Sequence, residues 1–110
     1  MDEHLPQIYR AFRANYADVA NSLDQLAARV DEAGPLDQQT QRLVKLGIAV
    51  ASESPGAVRS NVRKALNAGD SVDEIRHVAV LAITTCGFPT AIAGLGWIEQ
   101  ALQGVDAADD

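Results

Sequence analysis

The sequence is poor in the residues that disulfide-bonded, membrane-spanning and nucleic-acid-binding proteins need. Its 110 residues contain a single cysteine, Cys86, which excludes a disulfide or a two-cysteine redox pair within one chain. Aromatic residues make up only 5% of a chain that is 47% hydrophobic, so the core must consist mainly of alanine, valine, isoleucine and leucine. No apolar run approaches the ~20 residues of a membrane span. The net charge of −6 argues against binding to a phosphate backbone.

These absences predict a cytoplasmic protein of one domain. A chain of this length can bury a core without disulfides or structural metals. Its two histidines are far apart and no cysteine cluster accompanies them, so we expect neither a metal site nor a cofactor. The N-terminus, MDEHLPQ, lacks the features of a secretory signal. We therefore expect a protein that binds neither membranes nor nucleic acid.

Apolar residues recur at helical spacing along the chain, and few runs alternate with a period of two. The pattern predicts an all-α domain of five or six helices. Residues 1–33 form an amphipathic arm, with a short helix over 4–13, a break near Asn15 and a second helix over 18–33. The apolar stripe of this arm also fits one continuous helix, so both arrangements stay open. An acidic tail, residues 104–110, follows the domain core.

The core is predicted to occupy residues 34–103. Its first helix, over 38–52 with Asp37 as the N-cap, is apolar on nearly all sides and should be buried on nearly all sides. In so small a chain, contacts between subunits are the obvious way to bury it. We therefore expect a homo-oligomer formed through the helices at 38–52 and 71–103.

The helix predicted over residues 53–68 has clear signals at both ends. Ser54 can cap it, Pro55 suits the first helical position, and Gly69 can end it in the left-handed conformation. Its apolar residues fall on one face: Val58, Val62, Ala65 and Leu66. Asn61 lies at the edge of that face, where a polar amide needs hydrogen-bond partners.

The last two helices carry similar signals. Ser71 and Glu74 have the spacing of a capping box, and Pro89 can begin the final helix. The residues of that helix expected to face inward are Ala91, Ile92, Leu95, Ile98 and Leu102. Gly94 and Gly96 lower its intrinsic helicity by roughly 1 kcal/mol each, a loss that only close packing can offset.

Taken together, four segments resemble the carboxymuconolactone decarboxylase family, which also contains the alkylhydroperoxidase D-like proteins. They are 37–46 (DQQTQRLVKL), 63–69 (RKALNAG), 74–76 (EIR) and 87–89 (GFP), and their order and spacing carry the resemblance. It covers roughly residues 34–103. The resemblance implies an all-α fold that assembles as trimers or hexamers, with small-molecule sites between helices near subunit contacts.

The resemblance also implies that this chain lacks the usual active-site residues of the family. It places the two cysteines and the histidine of peroxidase members at Ser54, Ala57 and Asn61, and a glutamate that often precedes them at Arg42. Decarboxylase members also rely on a histidine in this helix. Neither chemistry can therefore run through the family's usual residues in this chain.

Other polar residues could form a new site. Lys45 stands in an apolar run eight residues before Glu53, and the two could meet as catalytic residues, with Asn61, Arg42 and His77 binding the ligand. The competing interpretation is structural. Lys45 then extends to solvent, Glu53 favours the start of the next helix, Asn61 bonds a neighbouring helix, and His77 is a surface or interface residue.

Cys86 is the remaining catalytic candidate. It could serve as the single thiol of a peroxidase, and the competing interpretation is a small buried core residue. Three functions thus stay open. They are binding or conversion of a small organic molecule between helices of an oligomer, a thiol peroxidase through Cys86, and a non-catalytic oligomeric scaffold that docks through residues 1–33. The sequence does not decide whether the protein is an enzyme.

Overall fold

The computed structural model describes residues 6–104, and these form six α-helices without a strand. The helices are α1 (Gln7–Asn15), α2 (Ala17–Glu32), α3 (Gln38–Ala51), α4 (Pro55–Asn67), α5 (Val72–Cys86) and α6 (Phe88–Leu102). The predicted all-α fold is therefore confirmed. Within the described range, no helix is both long and apolar enough to cross a membrane. Apart from Gly104, the predicted acidic tail lies outside the described residues.

The chain divides into two compact units, one containing α1 and α2 and the other containing α3 to α6. In the first unit, the helix breaks at Tyr16, so the arm consists of two helices rather than one. Arg13 of α1 forms a bidentate ion pair with the carboxylate of Asp24 in α2. Along α2, four apolar side chains are about half exposed or more: Val19, Leu23, Leu26 and Val30.

The second unit packs around a small aliphatic core. Its largest fully buried side chains are Leu46, Val50, Val58, Val62, Ile75 and Ile98. α3 packs against α4, α5 and α6, and α6 packs against α4 and α5 as well. α3 is not buried on nearly all sides within one chain, because Val44 is 45% exposed and Ile48 is 60% exposed.

Two of the three predicted N-caps form hydrogen bonds. Asp37 Oδ1 accepts from the backbone N–H of Thr40 at 2.8 Å. The Ser71 hydroxyl accepts from the Glu74 N–H at 3.0 Å while the Glu74 carboxylate accepts from the Ser71 N–H at 3.1 Å, which completes the capping box. Ser54 occupies the N-cap position of α4, but its hydroxyl forms no capping hydrogen bond. The prediction of a side-chain cap there is wrong.

The other boundaries of α4 agree with the sequence. Pro55 is its first residue, and Gly69 follows its end with a φ of 92°. Val58, Val62 and Ala65 are buried as predicted, whereas Leu66 is 37% exposed. Leu66 directly follows Ala65, so its side chain is rotated by about 100° around the helix from that of Ala65 and lies at the edge of the buried face.

α6 approaches α3 closely at Gly94. A Cβ placed on Gly94 would lie only 2.7 Å from Cγ1 of Val50 in α3, whereas a Cβ on Gly96 would meet nothing within 4 Å. The expected close packing therefore exists at Gly94, whereas at Gly96 no described residue provides it. Ile92 is 49% exposed, contrary to prediction, because it is displaced by about 100° from its buried neighbour Ala91.

Candidate functional site

α3 and α5 lie side by side and run in the same direction. At their first turns, the Gln39 amide donates to both carboxylate oxygens of Glu74 at 3.2 Å. Further along both helices, Gly47 faces Val78, whose Cγ1 would be 3.6 Å from a Cβ on the glycine. A groove lies between the two helices, and Gly47 is one of the residues that line it.

The groove has a volume of about 600 Å³. Its walls are largely aliphatic, and their main side chains are Leu43, Val44, Ile48, Val78, Leu81 and Ala82. Pockets for small organic molecules typically measure ~300–1,000 Å³ and combine apolar walls with a few polar groups. The size and the walls of the groove match that description.

Polar groups lie at the two ends of the groove. Thr40, Glu74 and His77 line it near the first turns of the helices, and Thr85 and Cys86 line it near the last turn of α5. The rise of an α-helix separates these ends by roughly 18 Å. The hydroxyl of Thr85 donates to the carbonyl of Leu81 at 3.1 Å, which leaves its oxygen as an acceptor.

The structure brings two of the predicted site residues, His77 and Cys86, to this groove at its opposite ends. His77 is exposed, as expected for a surface histidine. Cys86 is also exposed, so the interpretation of this cysteine as a buried core residue is wrong. It is the last residue of α5, beyond the buried positions of that helix.

The other predicted site residues do not line the groove. Lys45 is exposed on α3, and Glu53 is exposed in the turn before α4 with a φ of 54°. Asn61 Nδ2 donates to the carbonyl of Ala57 at 2.8 Å, within its own helix. A second site that unites Lys45, Glu53 and Asn61 stays a prediction.

Arg42 forms an ion pair with Asp70, a residue that the sequence analysis did not select. Its Nε and Nη2 donate to the two carboxylate oxygens at 2.7 Å and 2.9 Å. The side chain of Asp70 is only 3% exposed. The Arg42 guanidinium holds the pKa of Asp70 below its usual range, and Asp70 in turn raises the pKa of Arg42. This geometry gives Arg42 a structural partner, and a ligand-binding role for it stays a prediction.

No local pattern in the sequence indicates this ion pair. Arg42 and Asp70 are 28 positions apart, and they meet only because the start of α3 packs beside the turn between α4 and α5. The place of Glu74 in the groove was missed for the same reason. Its capping role was readable from local spacing, whereas its exposure to the groove depends on the position of α3.

The described residues form an all-α fold in which α3 and α5 border a largely aliphatic groove. The chain belongs to the carboxymuconolactone decarboxylase family, whose sequence pattern matches residues 17–100. The match begins in α2, earlier than the resemblance over 34–103 indicated. No curated protein matches the sequence.

A solved structure supports the same fold. The crystal structure of apo-lpg0406, a carboxymuconolactone decarboxylase family protein from Legionella pneumophila, aligns with a TM-score of 0.71 over 84% of this chain and 86% of that chain. The two sequences are 22% identical, a level at which the similarity establishes the fold alone.

Proposed function

We propose that this protein binds a small, largely apolar organic molecule in the groove between α3 and α5. The observation that carries the proposal is the groove itself, with about 600 Å³ of space, aliphatic walls and polar groups only at its ends. Burial of apolar ligand surface against such walls contributes about 25 cal/mol per Å². The polar groups at the two ends then orient the ligand along the groove.

We also propose that the usual active site of the family is absent from this protein. The positions that correspond to the cysteine pair and histidine of peroxidase members hold Ser54, Ala57 and Asn61, and Asn61 is bonded to its own helix. Any chemistry in this protein would therefore use other groups. The groove offers a carboxylate, an imidazole and a thiol, from Glu74, His77 and Cys86.

We further propose that the protein works as a homo-oligomer in the cytoplasm. Ile48 is 60% exposed and Leu81 is 57% exposed, and a second copy placed over them would enclose the groove. The exposed apolar row of α2 supports assembly too, and it also fits a non-catalytic scaffold that docks a partner there. In the scaffold case, Leu26→Asp would abolish partner capture and leave groove binding intact.

Nile red, a neutral apolar dye, provides a test of groove binding. Ile48→Asp places a charge in the groove wall at an exposed position, and Ile92→Asp places the same charge at an exposed position of α6 outside it. We expect Ile48→Asp to abolish the saturable fluorescence increase and Ile92→Asp to preserve it. Light scattering on both variants shows whether assembly has changed. Unaltered dye binding by Ile48→Asp would contradict the proposal.

A thiol-dependent peroxidase is the second candidate, and the exposure of Cys86 in the groove favours it. The thiolate would attack the peroxide O–O bond, form a sulfenic acid and release the alcohol. An added dithiol would then reduce the sulfenic acid to the thiol and would itself be oxidised to a disulfide, with release of water. Hydroperoxide consumption that persists in Cys86→Ser would rule this candidate out.

A further inference from the structure

The two ends of the groove differ in charge. At the end formed by the first turns of α3 and α5, the Glu74 carboxylate accepts hydrogen bonds from the Gln39 side chain and the Ser71 backbone. Both partners are neutral. Within the described part of the chain, Glu74 forms no ion pair, unlike Asp70 and Glu99. Among the described residues that line the groove, none at the end near Cys86 has a carboxylate or guanidinium group.

The contacts of Glu74 hold its carboxylate in place. The Gln39 amide reaches both oxygens at 3.2 Å and the Ser71 N–H reaches Oε1 at 3.1 Å. A carboxylate can accept about four hydrogen bonds in total. The carboxylate of Glu74 therefore keeps acceptor capacity for a ligand, at a position fixed by both helices.

From this geometry we infer that the ligand is a cationic amine with an apolar body. This inference rests on the proposed groove function and specifies the head group that the groove accepts. The ammonium lies against Glu74 and the hydroxyl of Thr40, and the hydrocarbon part extends along the aliphatic walls toward Cys86.

The Glu74 carboxylate favours a cationic head group over an anionic one. An ammonium-to-carboxylate hydrogen bond is roughly twice as strong as a neutral one, and a partly apolar groove screens the charges less than open water does. A ligand carboxylate at the same place would meet the like charge of Glu74, and His77 is the one basic side chain among the described residues that line the groove. The net charge of −6 adds to this repulsion. The roughly 18 Å between the groove ends accommodates an extended alkyl chain of medium length.

Three probes with the same chain length test the inference: decylamine, decanol and decanoate, each below its micellar concentration. Calorimetric titration of the full chain at mildly alkaline pH, where alkylamines stay protonated, measures their affinities. We expect decylamine to bind most tightly, decanol less tightly, and decanoate about tenfold or more weakly than decylamine.

The variant Glu74→Gln tests whether the Glu74 carboxylate causes the preference for the amine. Glutamine has the same shape and can also complete a capping box, so the start of α5 stays intact. We expect this variant to bind decylamine about as weakly as decanol, with decanol binding unchanged. Asp73→Asn is the matched control, because it removes the same charge from the same helical turn at a residue that does not line the groove. It should keep the preference for the amine.

The outcomes separate this inference from the proposed function. Equal affinities for the three probes, a preference for decanoate, or an unchanged preference in Glu74→Gln would overturn the amine inference. The proposed function would survive each of these results if Ile48→Asp still abolished binding. If the native protein bound neither the three probes nor Nile red, both ideas would fall.

Discussion

A methyl group added at Gly94 should disrupt the contact between α6 and α3. The new Cβ would lie 2.7 Å from Cγ1 and 3.1 Å from Cγ2 of Val50. Val50 is fully buried, and a valine side chain has essentially one comfortable χ1 rotamer in a helix. The neighbour therefore cannot swing aside, and the helices must separate or the side chain must distort.

Gly96 provides the reference for the magnitude. Replacing glycine by alanine inside a helix raises stability by roughly 1 kcal/mol, and Gly96→Ala should show this gain because its Cβ meets nothing within 4 Å. Gly94→Ala has the same gain and also the overpacking penalty, typically about 1–3 kcal/mol. The difference in unfolding free energy between the two variants therefore equals the overpacking penalty. We expect Gly94→Ala to be less stable than Gly96→Ala by about 1–3 kcal/mol.

Urea unfolding of both variants at one protein concentration measures this difference, since assembly would otherwise couple to stability. A third comparison checks the cause. In a Val50→Ala background, which lacks both clashing methyl groups, Gly94→Ala should cost much less than in the native chain. If Gly94→Ala proved as stable as Gly96→Ala, the close contact of the two helices would be refuted.

Three further predictions concern ion pairs and caps. Arg42→Ala should lower the free energy of unfolding several-fold more than Arg76→Ala, because its partner Asp70 is nearly buried whereas the ion pair of Arg76 is exposed. The folded chain lowers the pKa of Asp70, so its stabilisation is complete above the unfolded pKa of about 3.9 and is lost as the pH falls through the folded pKa. In Asp70→Asn, the free energy of unfolding measured with urea should therefore fall less steeply than in the native protein as the pH is lowered into the acid range. Ser71→Ala should cost about 1 kcal/mol in thermal unfolding and Ser54→Ala much less, since only Ser71 caps its helix; equal losses would contradict this difference.

The helix boundaries were predictable because their signals are local. Asp37 bonds the N–H of Thr40 three residues later, and Ser71 and Glu74 satisfy each other's backbone groups within one turn. Gly69 adopts the left-handed conformation that it was expected to supply. Ser54 shows the limit of such signals, since a suitable residue at an N-cap position need not orient its hydroxyl toward the helix.

Burial and the candidate site were less predictable because they depend on packing between distant segments. Leu66 and Ile92 fit the apolar stripes of their helices, yet each lies at the edge of an arc that the neighbouring helices cover. The groove has the same origin. Glu74 and His77 on α5 face the groove only because α3 packs beside α5. A single sequence contains no local pattern for that arrangement.

The most direct test of groove binding uses Cys86 as a reporter. It is the only cysteine in the sequence, it is exposed, and it lines the groove. The rate of its alkylation by iodoacetamide, followed by mass spectrometry, therefore measures access to this end of the site. We expect alkylation of the native protein to slow saturably as Nile red is added, and to be insensitive to the dye in Ile48→Asp. A rate that stays constant while the dye binds would place the ligand elsewhere and contradict the account.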